Sequence, residues 1–226
     1  GGIGTIVIAV LFFLFSGGDL NSVTDILGGG QAANYQTENV ASDEYTEEKE
    51  FSAVVFGHLE DYWNGVFKEE QTAYQDPKLV LFTGSVQSAC GNATSQVGPF
   101  YCPADQNVYL DLSFATELSQ KYGANGDFAM AYVIAHEVGH HVQNELGITQ
   151  QLDKIRQQVS EKEYNQYSVR LELQADYLAG TFAKYLQGET YNGQPILEAG
   201  DIEEAITAAN AIGDDTLQKE YQGYVV

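Results

Sequence analysis

The sequence predicts an α+β fold, predominantly helical, with a small β-sheet. Apolar residues recur three and four apart from Phe51 to Trp63 and again through much of residues 114–211, the signature of amphipathic helices. Two short runs, Lys78–Thr83 and Val108–Leu112, are rich in Val, Leu, Phe and Tyr and read as strands. At 226 residues the chain is long enough for one domain with a proper core and some appendages.

Taken in order, residues 1–18 carry no charge, and Ile3–Phe15 is mostly Ile, Val, Leu and Phe. As a helix residues 1–18 span roughly 27 Å at ~1.5 Å per residue, the short limit for a bilayer. It reads as a single transmembrane anchor, with a secretory h-region or a buried core helix as the alternatives. No Lys or Arg precedes Lys49 and Asp19 is the first charge, which fits an N-terminus inside and the rest of the chain extracytoplasmic, in the cell envelope. A cytoplasmic flank is expected ahead of Gly1. Residues 19–42, rich in Gly, Ser, Asn, Gln and Ala, read as a flexible linker. The domain proper is expected over residues 43–226.

It begins with an amphipathic helix carrying Phe51, Val54, Val55, His58, Leu59, Tyr62 and Trp63. Between the two strands lies a Gly/Ser/Asn-rich loop holding the only cysteines, Cys90 and Cys102. In an oxidising compartment that pair is expected to form a disulfide, worth about 3 kcal/mol in the chain-entropy model. Val108–Leu112, shortly before the central helix, is a candidate edge on which an extended peptide could pair. Helices follow over Phe114–Tyr122, over Asp127–Leu146 ended by Gly147, and from about Thr149. Ser160 and Glu163 are a capping-box signal for a long helix reaching Leu186. Shorter helices are expected over Asp201–Ala211 and Asp214–Tyr221.

The chemistry concentrates in His136-Glu137-Val138-Gly139-His140. Residues four apart on a helix lie nearly one above the other, so His136 and His140 present two imidazoles to one point with Glu137 beside them. Of the four histidines in the chain, three (His136, His140, His141) fall within six residues. Their neighbours Met130–Ala135, Val138 and Val142 are apolar on nearly every side, so the helix should be buried, and buried imidazoles need partners. A single Zn²⁺ ion meets that need: it takes two neutral nitrogens, while the intervening glutamate acts on the water beside it. His141 points about 100° away from His140 and reads as a buried supporting residue. His58 reads as structural.

A third ligand is wanted, and Leu146 stands where a third histidine would follow. On a helical wheel Glu172 and Asp176 fall with Val169, Ala179, Gly180 and Ala183, away from Arg170, Gln174, Thr181 and Lys184. Two acids on a stripe of small residues call for a cation or donor. Glu172 is the expected third ligand, and Asp176, one turn on, the expected acceptor for the outer ring N–H of a ligand histidine. Gly139 leaves room for close approach.

These stretches, with Gly98-Pro-Phe-Tyr-Cys-Pro103, Val108–Phe114 and Ala211-Ile-Gly-Asp-Asp215, resemble the bacterial neutral zinc metallopeptidase family from about residue 50 onward. The resemblance implies a gluzincin-type, zincin-like domain with His136, His140 and Glu172 as zinc ligands and Glu137 as catalytic acid and base. It also implies a membrane-tethered protein acting on peptide or protein substrates. Members of that family continue past the Gln-Gly-Tyr-Val-Val sequence with a Phe-Thr-His-Gly motif, so a further C-terminal segment is expected. That departure keeps a second reading open: a membrane-tethered, zinc-binding envelope protein with no turnover of its own.

The balance of 32 acids to 10 bases gives a formal charge of −22. Phosphate binding needs a basic face, so nucleic acid is not expected as a partner.

Overall fold

The computed structural model describes residues 33, 35–40, 45–122, 127–191, 194–195, 197 and 199–212. The anchor expected over residues 1–18, nearly all of the linker and the helix expected over 214–221 lie outside them. Among the described residues no helix is long and apolar enough to cross a membrane.

One part of the expected linker is structured. Tyr35–Glu38 forms strand β1, which runs parallel to β2 (Lys78–Phe82), Tyr35 facing Leu79 and Glu38 facing Phe82. Its Tyr-Gln-Thr-Glu sequence lacks apolar alternation, and three of its four residues are exposed, so backbone pairing rather than side-chain burial holds it. Helix α1 (Thr46–Glu69) makes the crossover that a parallel pair requires. It buries Val55, Phe56, Leu59, Trp63 and Phe67 against the sheet and the helices behind it.

The segment expected as a loop after β2 is also ordered. It forms a hairpin of β3 (Ser85–Ser88) and β4 (Gly91–Thr94), a 3₁₀ turn at Ser95–Val97, and β5 (Phe100–Cys102), before β6 (Asn107–Asp111). The main sheet has the order β1-β2-β6-β5, with β5 antiparallel to β6 and the other pairs parallel. β6 is therefore an interior strand, and the expectation that Val108–Leu112 offers a free edge is corrected. Among the described residues the free edge on that side belongs to β5.

Alternation places the two faces of β2 and β6 in different cores. Leu79, Leu81, Val108 and Leu110 join the main helical core, whereas Val80, Phe82 and Tyr109 pack with Val86, Ala93 and Cys102 beneath the hairpin. A disulfide between Cys90 and Cys102, with Cα atoms 5.8 Å apart, ties the hairpin tip to β5.

The second half is helical: α2 (Phe114–Tyr122), α3 (Asp127–Glu145), α4 (Ile148–Arg156), α5 (Glu161–Gly188) and α6 (Asp201–Ile212), with a small hairpin, β7 (Thr190–Tyr191) and β8 (Gln194–Pro195), before α6. Ser160 caps α5, its hydroxyl accepting the Glu163 N–H. Gly147, at φ 73°, makes the left-handed turn between α3 and α4. Helix α3 is the hub of the domain, packing against α1, α5, α6 and the β5–β6 edge. Its flanks Met130–Ala135, Val138 and Val142 are all buried.

Candidate metal centre

Helix α3 carries His136 and His140 one turn apart, and α5 crosses it at Gly139. A Cβ added to Gly139 would lie 3.1 Å from the Ala175 carbonyl oxygen and 3.2 Å from its Cα, so the two backbones nearly touch. That approach brings Glu172 to the imidazole pair. His136 Nε2 lies 3.2 Å from Glu172 Oε2, His140 Nε2 lies 3.4 Å from the same oxygen, and the two Nε2 atoms are 3.1 Å apart. The three side chains form the one cluster of potential ligand atoms found among the described residues.

These spacings test the fit of a zinc ion. Bonds of about 2.0–2.1 Å at tetrahedral angles put ligand atoms roughly 3.3 Å apart, which is the separation found. The outer ring nitrogens agree. His136 Nδ1 donates to Asp176 Oδ1 at 2.9 Å and His140 Nδ1 donates to Gln143 Oε1 at 2.9 Å. With those protons outward, both neutral rings turn Nε2 lone pairs toward each other and toward a carboxylate. Such a triad repels itself unless a cation sits between its members.

The electrostatics carry the same message. Burial works against charge on His136, but hydrogen bonds to Asp176 and Glu172 outweigh it and hold the ring at about 10. Burial likewise opposes ionisation of Glu172, and the two histidines override it, drawing the carboxyl down to about 2. The pocket is built to hold positive charge, which a proton or a divalent metal can supply.

Glu137 is 8% exposed and does not join the ligand triad. Burial, reinforced by Glu172, pushes its carboxyl up, against the pull of His136, His140 and a hydrogen bond from the Tyr101 backbone. Asp176 sits on the far side of His136, where it also accepts the Tyr132 hydroxyl. Burial opposes its charge, and the His136 and Tyr132 hydrogen bonds more than compensate, so its carboxyl lies below the ordinary range. The wheel sector that singled out the two acids is partly corrected: Val169 is 56% exposed and Gly180 is also exposed. The buried side of α5 runs through Ala175, Ala179, Phe182, Ala183 and Leu186, with Glu172 and Asp176 on its rim.

Three contributors were not foreseen. Gln143, fully buried, spends its Oε1 on His140 and its Nε2 on the Leu171 carbonyl at 2.7 Å and Gln174 Oε1 at 3.1 Å. Tyr132, one turn before His136, fixes Asp176. Tyr101 on β5 lines the cleft together with Glu137. His141 stands apart from the ligands, completely buried, with Nε2 2.6 Å from the Gln75 carbonyl. His58 is half-buried on α1, where burial lowers its pKa despite Asp61 and Glu189.

The cleft over the triad, of about 330 Å³, is walled by Val97, Phe100, Phe114, Val133 and Leu171. Two imidazoles and one carboxylate beside an apolar cleft are a donor set that fits a zinc ion, with Glu137 next to it and unattached.

The family described as "Putative neutral zinc metallopeptidase" matches residues 1–226, and the chain belongs to that family. The uncharacterized protein YpfJ of Escherichia coli K12 is 44% identical over 221 residues, covering 98% of this chain and 74% of that protein. The uncharacterized protein Rv2575 of Mycobacterium tuberculosis H37Rv is 41% identical over 166 residues, covering 71% of this chain and 55% of that protein. No solved structure matches the chain.

Proposed function

We propose that the protein is a zinc-dependent peptidase that hydrolyses peptide bonds in the cleft over His136, His140 and Glu172. The observation that carries this reading is the triad itself, with ligand atoms 3.1–3.4 Å apart and Glu137 beside it but outside it. Zinc bound there supplies Lewis acidity, polarising a scissile carbonyl and acidifying water. His136 and His140 act as neutral donors, each locked in the required tautomer by Asp176 and by Gln143. Glu137 takes the proton from the attacking water and returns it to the leaving amine. Its carboxyl is raised by burial toward the pH at which an acid–base group works best.

The free edge of β5 supports a peptide as substrate. An extended chain laid along Phe100–Cys102 would pair its backbone there and bring a peptide bond over the triad. The apolar walls favour a large apolar side chain beside the scissile bond. The Cys90–Cys102 disulfide and the uncharged residues 1–18 support a domain held outside the cytoplasm by an N-terminal anchor.

The test is cleavage of an unfolded protein by the metal-loaded chain, with and without a chelator. Glu137→Gln should keep one zinc per chain by elemental analysis and lose at least roughly 10²- to 10⁴-fold in turnover. Full activity in that variant would exclude the role. Bound zinc with no cleavage by the wild type would favour the non-enzymatic envelope protein.

A further inference from the structure

Five of the six residues from Gly98 to Pro103 line the cleft, and the exception is Cys102. Cys102 is instead fully buried in the small core beneath the hairpin, with Val80 and Phe82. Its sulfur is bonded to Cys90, which with Ala89 makes the two-residue turn between Ser88 and Gly91 at the hairpin tip. The strand that walls the cleft is thus tied down at the one position that does not face it.

β5 has little else of its own to hold it. It is three residues long, pairs with β6 on one side, and among the described residues has no strand on the other. No charged side chain lies between Lys78 and Asp105, so β5 contributes none to an ion pair. The hairpin, by contrast, is a firm anchor. Val86 and Ala93 pack with Val80, Phe82 and Tyr109, and the Ser95 N–H closes its open end on the Gly84 carbonyl at 2.9 Å.

A second tie runs beside the disulfide. The Ala89 N–H donates to Asp105 Oδ2 at 2.9 Å, and Asp105 also accepts the Asn107 N–H at 3.1 Å and the Tyr109 hydroxyl at 2.8 Å. Phe100 stacks on Tyr109 with ring centroids 4.7 Å apart. The Ala89 bond is exposed, where water competes for both partners. The covalent link is the tie that water cannot replace.

We infer that the Cys90–Cys102 disulfide positions the substrate-pairing strand, holding β5 extended so that its outer edge is ready for a peptide; the role rests on the peptidase reading above. A peptide that pairs with a strand already in place meets no ordering cost, whereas one that must first order the strand binds more weakly. The disulfide therefore acts on substrate binding and not on the metal centre, whose ligands come from α3 and α5.

Two substrates presented to the zinc-loaded protein test this. One is an extended peptide of about eight residues, long enough to run along Phe100–Cys102; the other is a blocked dipeptide covering only the scissile bond. Cys90→Ser removes the link and leaves the buried Cys102 side chain in place. It should raise KM for the long peptide about tenfold, the cost of ordering roughly one residue of backbone. The values of kcat, zinc content and KM for the dipeptide should not change. Amide exchange gives a readout independent of turnover: the β5 amides bonded to β6 should exchange faster in the variant, while those of α3 keep the wild-type rate. An unshifted KM for the long peptide overturns the inference. So does an equal loss with both substrates or a loss of zinc, either of which marks the bond as a brace for the whole domain. If Cys90→Ser does not fold, the wild type reduced with a phosphine and desalted takes its place under the same criteria, and unfolding on reduction also overturns the inference. A wild type that binds zinc but cleaves neither peptide sinks the peptidase reading and this role with it. Wild-type cleavage with an unshifted KM in the variant sinks this role alone.

Discussion

Gln143 uses both ends of its amide at once, accepting from His140 and donating to the backbone and side chain of α5. It therefore orients the His140 ring and stitches together the two helices that bear the candidate ligands. Gln143→Ala should weaken zinc binding about 10- to 100-fold, the usual cost of losing the partner of a ligand histidine, as read by competition with a chromophoric chelator. An unchanged affinity would mean that packing alone orients His140. His136, Glu137 and His140 are legible in the sequence because one helical turn contains all three. Glu172 and Asp176 stood out on a helical wheel, although the same sector also held Val169 and Gly180, which are exposed. Gln143 was not legible, since a glutamine three residues past a histidine reads equally well as a solvated side chain. Tyr132 read as core, because its ring is buried and its hydroxyl partner lies 44 residues away. Tyr101 stood in a segment read as loop, with nothing local to say that it lines the cleft.

Among the elements, the α3–α5 crossing decides the geometry of the site. Gly139 against Ala175 lets the helices meet backbone to backbone. Gly139→Ala gains about 1 kcal/mol of helix propensity but meets a helix backbone that must give by a few tenths of an ångström, an overpacking cost of about 1–3 kcal/mol. The opposing effects leave a small net loss of stability, while the displacement falls directly on the distance from Glu172 to the imidazoles. The variant should melt within a few degrees of the wild type and bind zinc at least tenfold more weakly; calorimetry and metal titration on one preparation check both. Long helices and the two central strands were legible because each carries a sustained period and clear punctuation. β1, β3, β4 and β5 are only three or four residues long and mostly polar or half-exposed. Their pairing partners, distant in sequence for β1 and near for β3, β4 and β5, supply the structure that their own side chains do not.

For the molecule as a whole, a large excess of negative charge meets groups already short of solvent. Glu60 on α1 is pushed up to about 7 by burial first, then by Asp76 and Asp61. An acid whose folded pKa exceeds its unfolded value stabilises the fold below the unfolded value, and that contribution disappears as pH rises through about 7. Glu60→Gln should match the wild type in Tm near pH 4.5 and exceed it at pH 8. With an allowance for partial exposure the gain is on the order of 1 kcal/mol, or ~2–4 °C by differential scanning calorimetry. Identical pH profiles would show that Glu60 ionises freely. The sheet order has a consequence for how the molecule can be handled and held. The polypeptide enters the described domain through β1, at one margin of the sheet, while the cleft opens beside β5 at the other. Three inter-strand steps, roughly 14 Å, separate the two margins. A bead, a fusion partner or a lipid surface attached ahead of β1 therefore meets the sheet at the margin opposite the cleft.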